Sequence, residues 1–383
     1  MSGVVGRVGP EFEEVLSYLE GALTADADYS FQLAAYRGAE LVVDLHAGDG
    51  ISADSLMIPF STSKNSIAFS IGLLVDRGAL DLDAPVATYW PEFAAEGKQH
   101  VLVRELLSHQ AGLPEAKPRI TDEEFADSSR AAARLAAQLP WWRPGSTFGY
   151  HGLTIGVLGG ELVRRVTGLT IQEFFEKEIR ATRDIDFYLG SSRELEERIV
   201  DLQPMIIEGG PVDPRTFPFP RQPGQLGREV FANVAIQRTE EETLAHSRAQ
   251  RFAANPAAYA TVSARGIAAL FAECVVGITG PALVSSSTLE RLTQSQVRGT
   301  DSVIGIERNY GVVFQKPTPN LAFGGFRAFG HDGAGGALGF HDPDTQISFG
   351  YTVRRTPPPG GADSRALEVA RILQSIALSQ PRQ

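Results

Sequence analysis

The stretch Ile58-Pro59-Phe60-Ser61-Thr62-Ser63-Lys64-Asn65-Ser66 leads into the apolar run Ile67, Phe69, Ile71, Leu73, Leu74 and Val75, and it limits the fold more than any other part of the chain. A helix that is apolar on most faces has to be enclosed on most faces, so further layers must surround it. Its first turn carries Ser61 and Lys64, three positions apart and therefore on one face. Burial and the positive end of the helix dipole both disfavour a charged Lys there and push it toward the neutral amine. A neutral amine beside a serine hydroxyl is a competent general base, and the pair reads as a nucleophile seated at a helix start. The alternative is a solvated Lys on a frayed helix end. With 383 residues to search, the Ser-x-x-Lys spacing by itself is close to a chance event and does not separate the two.

Composition removes several classes of function. A hydrophobic content of 43% in a chain of this length supports a large core in a globular protein. A formal charge of -11 without any Lys/Arg cluster argues against nucleic acid, polyanions and anionic membranes as partners. Cys274 is the only cysteine, which excludes an intramolecular disulfide framework and reads as a packing residue. Met1 to Pro10 has no apolar signal core, and the apolar runs are too short for a membrane span, so the cytoplasm is the expected location. There is no Gly-x-Ser-x-Gly elbow and no His-Glu-x-x-His, and the seven His are scattered, so neither an α/β-hydrolase nucleophile nor a metal or cofactor is called for.

Taken in order, Glu11 to Leu23 places Phe12, Val15, Leu16, Leu19 and Leu23 on one helical face. Phe31 to Tyr36 and Glu40 to His46 then suit a hairpin across Arg37-Gly38-Ala39. Beyond Asp76 the segments are helical, including Asp122 to Gln138, the helix after Tyr150-His151-Gly152, Ser263 to Val276 and a turn at Leu289 to Leu292. Residues 204–223 hold six prolines, too many for a helix or central strand, and form either a covering loop or a plain surface excursion. Trp141, Trp142, Phe217 and Phe219 are candidates for an apolar substrate pocket. Strand patterns return at Gly311 to Gln315, Phe326 to Gly330, Gly336 to His341 and Gln346 to Val353, before a closing helix from Ser364 to Leu378. The expected architecture is therefore one antiparallel sheet built from both termini (1–75 and 300–383), flanked by helices, with an inserted helical domain over 76–299. Gly333, Gly335 and Gly336 remove side chains where a substrate would lie against backbone; they equally suit a bulge beside a hairpin. Leu338 occupies the position where a dinucleotide fingerprint needs glycine, so a Rossmann reading is discarded.

Ser61-Thr62-Ser63-Lys64, Tyr150 and a Gly-rich strand near the end occur in the order of the serine β-lactamase and penicillin-binding-protein superfamily, and with Tyr150 the chain resembles its class C branch. Closer still, Leu80-Asp81-Leu82-Asp83-Ala84-Pro85-Val86, Tyr89-Trp90-Pro91, Leu106-Leu107-Ser108-His109-Gln110-Ala111-Gly112-Leu113-Pro114 and Phe329-Gly330-His331-Asp332-Gly333-Ala334-Gly335-Gly336 resemble the family VIII carboxylesterases. The likeness runs from about residue 30 to 355.

The resemblance implies a β-lactamase-like fold with Ser61 as nucleophile, Lys64 as its base and Tyr150 as the second proton relay. It places an oxyanion hole at the backbone N–H groups of Ser61 and Ala334. His331, Gly333, His151 and Gly152 are candidate substrate contacts, with a structural hydrogen bond at least as good a reading for a single His such as His151. Two departures bear on substrate. Tyr150-His151-Gly152 replaces Tyr-x-Asn, losing an amide side chain, and His331-Asp332-Gly333 replaces Lys-Thr-Gly, losing the ammonium that recognises a β-lactam or peptide carboxylate. A largely neutral His beside an Asp is a poor substitute. The expected activity is hydrolysis of small neutral esters through an acyl-enzyme. A β-lactamase or D-amino-acid peptidase and a catalytically silent penicillin-binding-like protein are the alternatives.

Overall fold

A computed structural model describes residues 3–121, 124–125, 127–207, 210–211, 225–231, 251 and 253–380. Both ends of the chain build one sheet. From the N-terminus come β1 (Val5–Val8), β2 (Phe31–Arg37) and β3 (Glu40–Ala47). A ribbon of β4 (Val297–Thr300) and β5 (Glu307–Tyr310) precedes the C-terminal strands β6 (Phe329–Asp332), β7 (Leu338–Asp342) and β8 (Ile347–Val353). The six-stranded sheet runs β1-β3-β2-β8-β7-β6. Every pairing in it is antiparallel, with Phe349 opposite Ala35 where the two ends of the chain meet.

One sheet face is covered by α1 (Glu13–Ala25) and by α7 (Ser364–Ser379) at the end of the chain, joined through Phe12, Val15, Leu19, Val369 and Leu373. The other face receives α5 (Ala264–Val275). That helix comes close because β8 offers it no side chain at Gly350, where a Cβ would lie 2.1 Å from the Ala264 carbonyl oxygen. Beyond α5 lies a helical core around α2 (Lys64–Asp76), α3 (Ser128–Ala137), α4 (Thr154–Thr167) and α6 (Ser286–Thr293). Residues 64–75 of α2 are all buried, as the apolar run demands, and Phe69 sits edge-on to Phe271 and Phe314, each at 5.3 Å. An antiparallel sheet built from both termini and flanked by helices is the architecture expected from the sequence.

One expectation meets a different outcome, one strand was not foreseen, and one reading lies outside the described residues. Gly311 to Gln315 turns rather than extends: Gly311 N–H donates to Phe314 O at 2.8 Å and Val313 has a φ of +65°. The paired strands there are β4 and β5, immediately upstream. β1 was not anticipated, because an edge strand with three exposed positions in four has no alternation to read. Of residues 204–223 only 204–207 and 210–211 are described, so the covering loop, with Phe217 and Phe219, lies outside the described residues.

Candidate active site

Phe60–Ser63 forms one 3-10 turn in front of α2. Phe60 has a φ of +47°, a left-handed conformation that costs an aromatic residue ~1–3 kcal/mol and persists only where its surroundings impose it. The imposed turn presents Ser61. Lys64 Nζ lies 3.0 Å from Ser61 Oγ and donates to the Ala257 carbonyl oxygen at 2.7 Å. Lys64 is fully buried, and this desolvation pushes its pKa well below the ordinary lysine value against a weaker opposing pull from Asp332. The Tyr150 hydroxyl donates to the same Ser61 Oγ at 2.7 Å. Burial raises its pKa above the ordinary tyrosine value, the hydrogen bond to Ser61 acting the other way, so the phenol keeps its proton. One hydroxyl is therefore flanked by an amine whose charged form burial disfavours and by a phenol that keeps its proton.

Tyr150 lies just ahead of α4 and is fixed by its backbone. Its N–H donates to Asp301 Oδ1 at 3.0 Å, and the same buried oxygen accepts from Val303 N at 2.9 Å and Ile304 N at 3.0 Å. On either side, Gly149 N–H donates to the His109 carbonyl oxygen at 3.0 Å and His151 N–H to His109 Nδ1 at 3.1 Å. His109 is buried, which lowers its pKa well below the usual imidazole value, with His151, Lys64 and His331 adding to the effect.

The pocket over Ser61 has a volume of about 480 Å³ and is lined by Ser61, Tyr150, Asp332 and Ala334 together with Arg308, Gln315, Met205 and Ile304. Backbone brings the two sides of the reacting centre together. A Cβ at Gly333 would lie 2.0 Å from the Pro59 carbonyl oxygen, so the loop after β6 rests directly on the turn that carries Ser61. The N–H groups of Ser61 and Ala334 donate to no protein acceptor among the described residues.

The remaining sequence candidates are placed differently. His151 is fully enclosed: its Nδ1–H donates to Gly149 O at 2.6 Å and its Nε2 accepts from Leu113 N at 2.9 Å. Burial lowers its pKa to about 4, and neither it nor Gly152 lines the pocket. His331 is buried behind the wall, with Nδ1–H on the carbonyl oxygen of Asp332 at 2.7 Å and Nε2 without a partner among the described residues. Burial, reinforced by Lys64, takes its pKa to about 3. Trp141 and Trp142 donate from Nε1 to Glu115 O at 2.8 Å and Gln110 O at 3.3 Å and pack outside the pocket lining. Ala257, Asp301 and Arg308 were missed from sequence. A carbonyl acceptor, a single Asp in a loop and one Arg among many leave no local pattern.

A family model described as Beta-lactamase matches residues 21–374. The Esterase/beta-lactamase LipL of Mycobacterium tuberculosis is 30% identical over 373 residues, covering 93% of this chain and 84% of that protein. Among solved structures, EstA from Arthrobacter nitroguajacolicus superposes with a TM-score of 0.88 at 38% identity, over 97% of this chain and 98% of that one. A family VIII carboxylesterase superposes with a TM-score of 0.85 at 28% identity, over 99% and 100%. With the family model reaching from α1 into the closing helix, the chain belongs to the Beta-lactamase family.

Proposed function

We propose that the chain is a serine carboxylesterase that hydrolyses small neutral esters through an acyl-enzyme. The observation that carries this reading is the position of Ser61 Oγ, 3.0 Å from the Lys64 amine and 2.7 Å from the Tyr150 hydroxyl, both uncharged. With one N–H of Lys64 on Ala257 O, the amine lone pair is left for the Ser61 proton as Oγ attacks the ester carbonyl. Tyr150 hands its own proton to the departing alkoxide and is reprotonated from Lys64. Water then enters by the reverse relay and frees the acid. The N–H groups of Ser61 and Ala334 would hold the oxyanion, a role in which one donor is worth ~3 kcal/mol of barrier. The names of LipL, EstA and the family VIII carboxylesterase support ester hydrolysis.

A short-chain nitrophenyl ester tests the assignment. Wild type should turn it over, and Ser61→Ala should lose at least about a thousandfold in kcat; equal rates would sink the reading. Because LipL is named as a β-lactamase as well, a chromogenic cephalosporin belongs beside the ester. Ester turnover should dominate, since uncharged His331 stands where the lactam-binding ammonium would be. No helix among the described residues is long and apolar enough to cross a membrane. A cytoplasmic location is part of the same reading, supported by the single, buried Cys274.

A further inference from the structure

The pocket over Ser61 is lined by one acidic and one basic side chain, and neither is neutralised by a partner among the described residues. Asp332 has a side chain only 10% exposed, and its carboxylate accepts one backbone N–H, from Ala362 to Oδ2 at 3.2 Å. The single ionisable nitrogen within 4.0 Å among the described residues is His331 Nδ1 at 3.8 Å, already committed to the Asp332 carbonyl oxygen. Oδ1 has no donor among the described residues, and Asp332 lines the pocket. Arg308, on β5, makes no ion pair among the described residues; its one hydrogen bond runs from Nη1 to Glu307 O at 3.4 Å. The two charges are not equally available. Arg308 also faces the buried Asp301, whose ionised form it favours. Asp332 faces Lys64 and His331, both held neutral by burial.

We propose that Asp332 is a cation-selecting subsite beside the nucleophile, and that the preferred substrates are esters carrying an ammonium group close to the scissile bond. This rests on the esterase reading and narrows it: neutral esters are accepted, cationic ones favoured and carboxylate-bearing ones repelled. A buried carboxylate that no protein cation satisfies gains most from a ligand that brings one. Arg308 sets the opposing sign and limits the preference.

The test is kcat/KM by pH-stat at pH 8 for three acetates: acetylcholine, its uncharged isostere 3,3-dimethylbutyl acetate, and acetoxyacetate. Wild type should prefer them in that order. Asp332→Asn should lower the acetylcholine-to-isostere ratio about tenfold, the size expected for a close charge pair, and Arg308→Gln should raise it. If the Asn variant does not fold, the wild-type order and the direction of the Arg308→Gln change decide. A ratio that stays within about twofold in both variants, or a wild type that prefers acetoxyacetate, overturns the inference. A wild type that cleaves nitrophenyl acetate through Ser61 but shows no charge order overturns the charge inference alone. Ester cleavage that survives Ser61→Ala overturns the function beneath it.

Discussion

Lys64 has the length to reach solvent but is held where it has none, and that structural cost is what suits it to the base role proposed for it. Lys64→Met keeps most of the volume and removes the lone pair, so kcat should fall by ~10²–10⁴, the usual worth of a general base. The stability of the two proteins should also diverge with pH in a fixed direction. At pH 7 the unfolded chain protonates Lys64 fully while burial disfavours the proton in the fold, so the unfolded state holds it more readily and wild type is the more handicapped there. As pH rises from the depressed folded pKa toward 10.5 this handicap disappears, at up to ~1.4 kcal/mol per pH unit. Met has no such dependence. Urea unfolding at pH 7, 8.5 and 10 should show wild type gaining on the variant at each step, all other titrations being common to both. A constant difference would mean that Lys64 is charged in the fold.

Two elements hold the reacting centre from opposite sides, the loop between β6 and β7 and the buried Asp301. At Gly333 a methyl would meet the Pro59 carbonyl, which is backbone and cannot swing aside. Gly333→Ala should therefore displace the Ser61 turn, costing ~1–3 kcal/mol of stability as overpacking does, and the loss of kcat should exceed what the lowered melting temperature explains. Asp301→Ala leaves the N–H groups of Tyr150, Val303 and Ile304 without their acceptor, whereas Asn can still offer one oxygen. The Ala variant should lose both melting temperature and kcat, and Asn should recover most of each; equal damage from both would show that the charge rather than the acceptor matters. These elements differ in how far the sequence reveals them. Strands β2, β3, β7 and β8 and helices α1, α2 and α7 were legible because each carries its own period or apolar run. Ser61 and Lys64 were visible as a pair, while Tyr150 needed the order of motifs along the chain. Asp301 and Arg308 act through contacts made only after folding, and of the two roles open to His151, pocket lining or a structural hydrogen bond, the fold takes the second, with Gly149 O and Leu113 N. Adjacency in sequence gave its neighbourhood but could not give the direction of its ring.

At the scale of the whole molecule the imidazoles form a set. His109, His151, His331 and His341 are all buried, and burial holds each below its ordinary pKa, to about 4 for His151 and about 3 for His331 and His341. A base with a depressed folded pKa binds its proton in the unfolded chain first, so stability is lost as pH falls from about 6.5 toward those values. Glu115 and Asp301 oppose this, since burial raises both and their ionised forms handicap the fold at neutral pH. Four groups against two gives a net loss in acid, with each uncompensated histidine contributing ~2 kcal/mol between pH 7 and pH 5. Two uncompensated histidines amount to about 4 kcal/mol, so the urea midpoint should be about 1 M lower at pH 5 than at pH 7, given a slope of roughly 3–4 kcal/mol per molar for a chain of this size. His341 isolates the cause, because it lies outside the pocket and its hydrogen bond is to Ser348 Oγ at 2.9 Å. His341→Gln should reduce the difference between the two pH values by one histidine's share even if it lowers stability at both. A midpoint that is equal or higher at pH 5 would mean that these rings take up protons inside the fold, and the uncharged surroundings assigned to Lys64 and Tyr150 would fall with it.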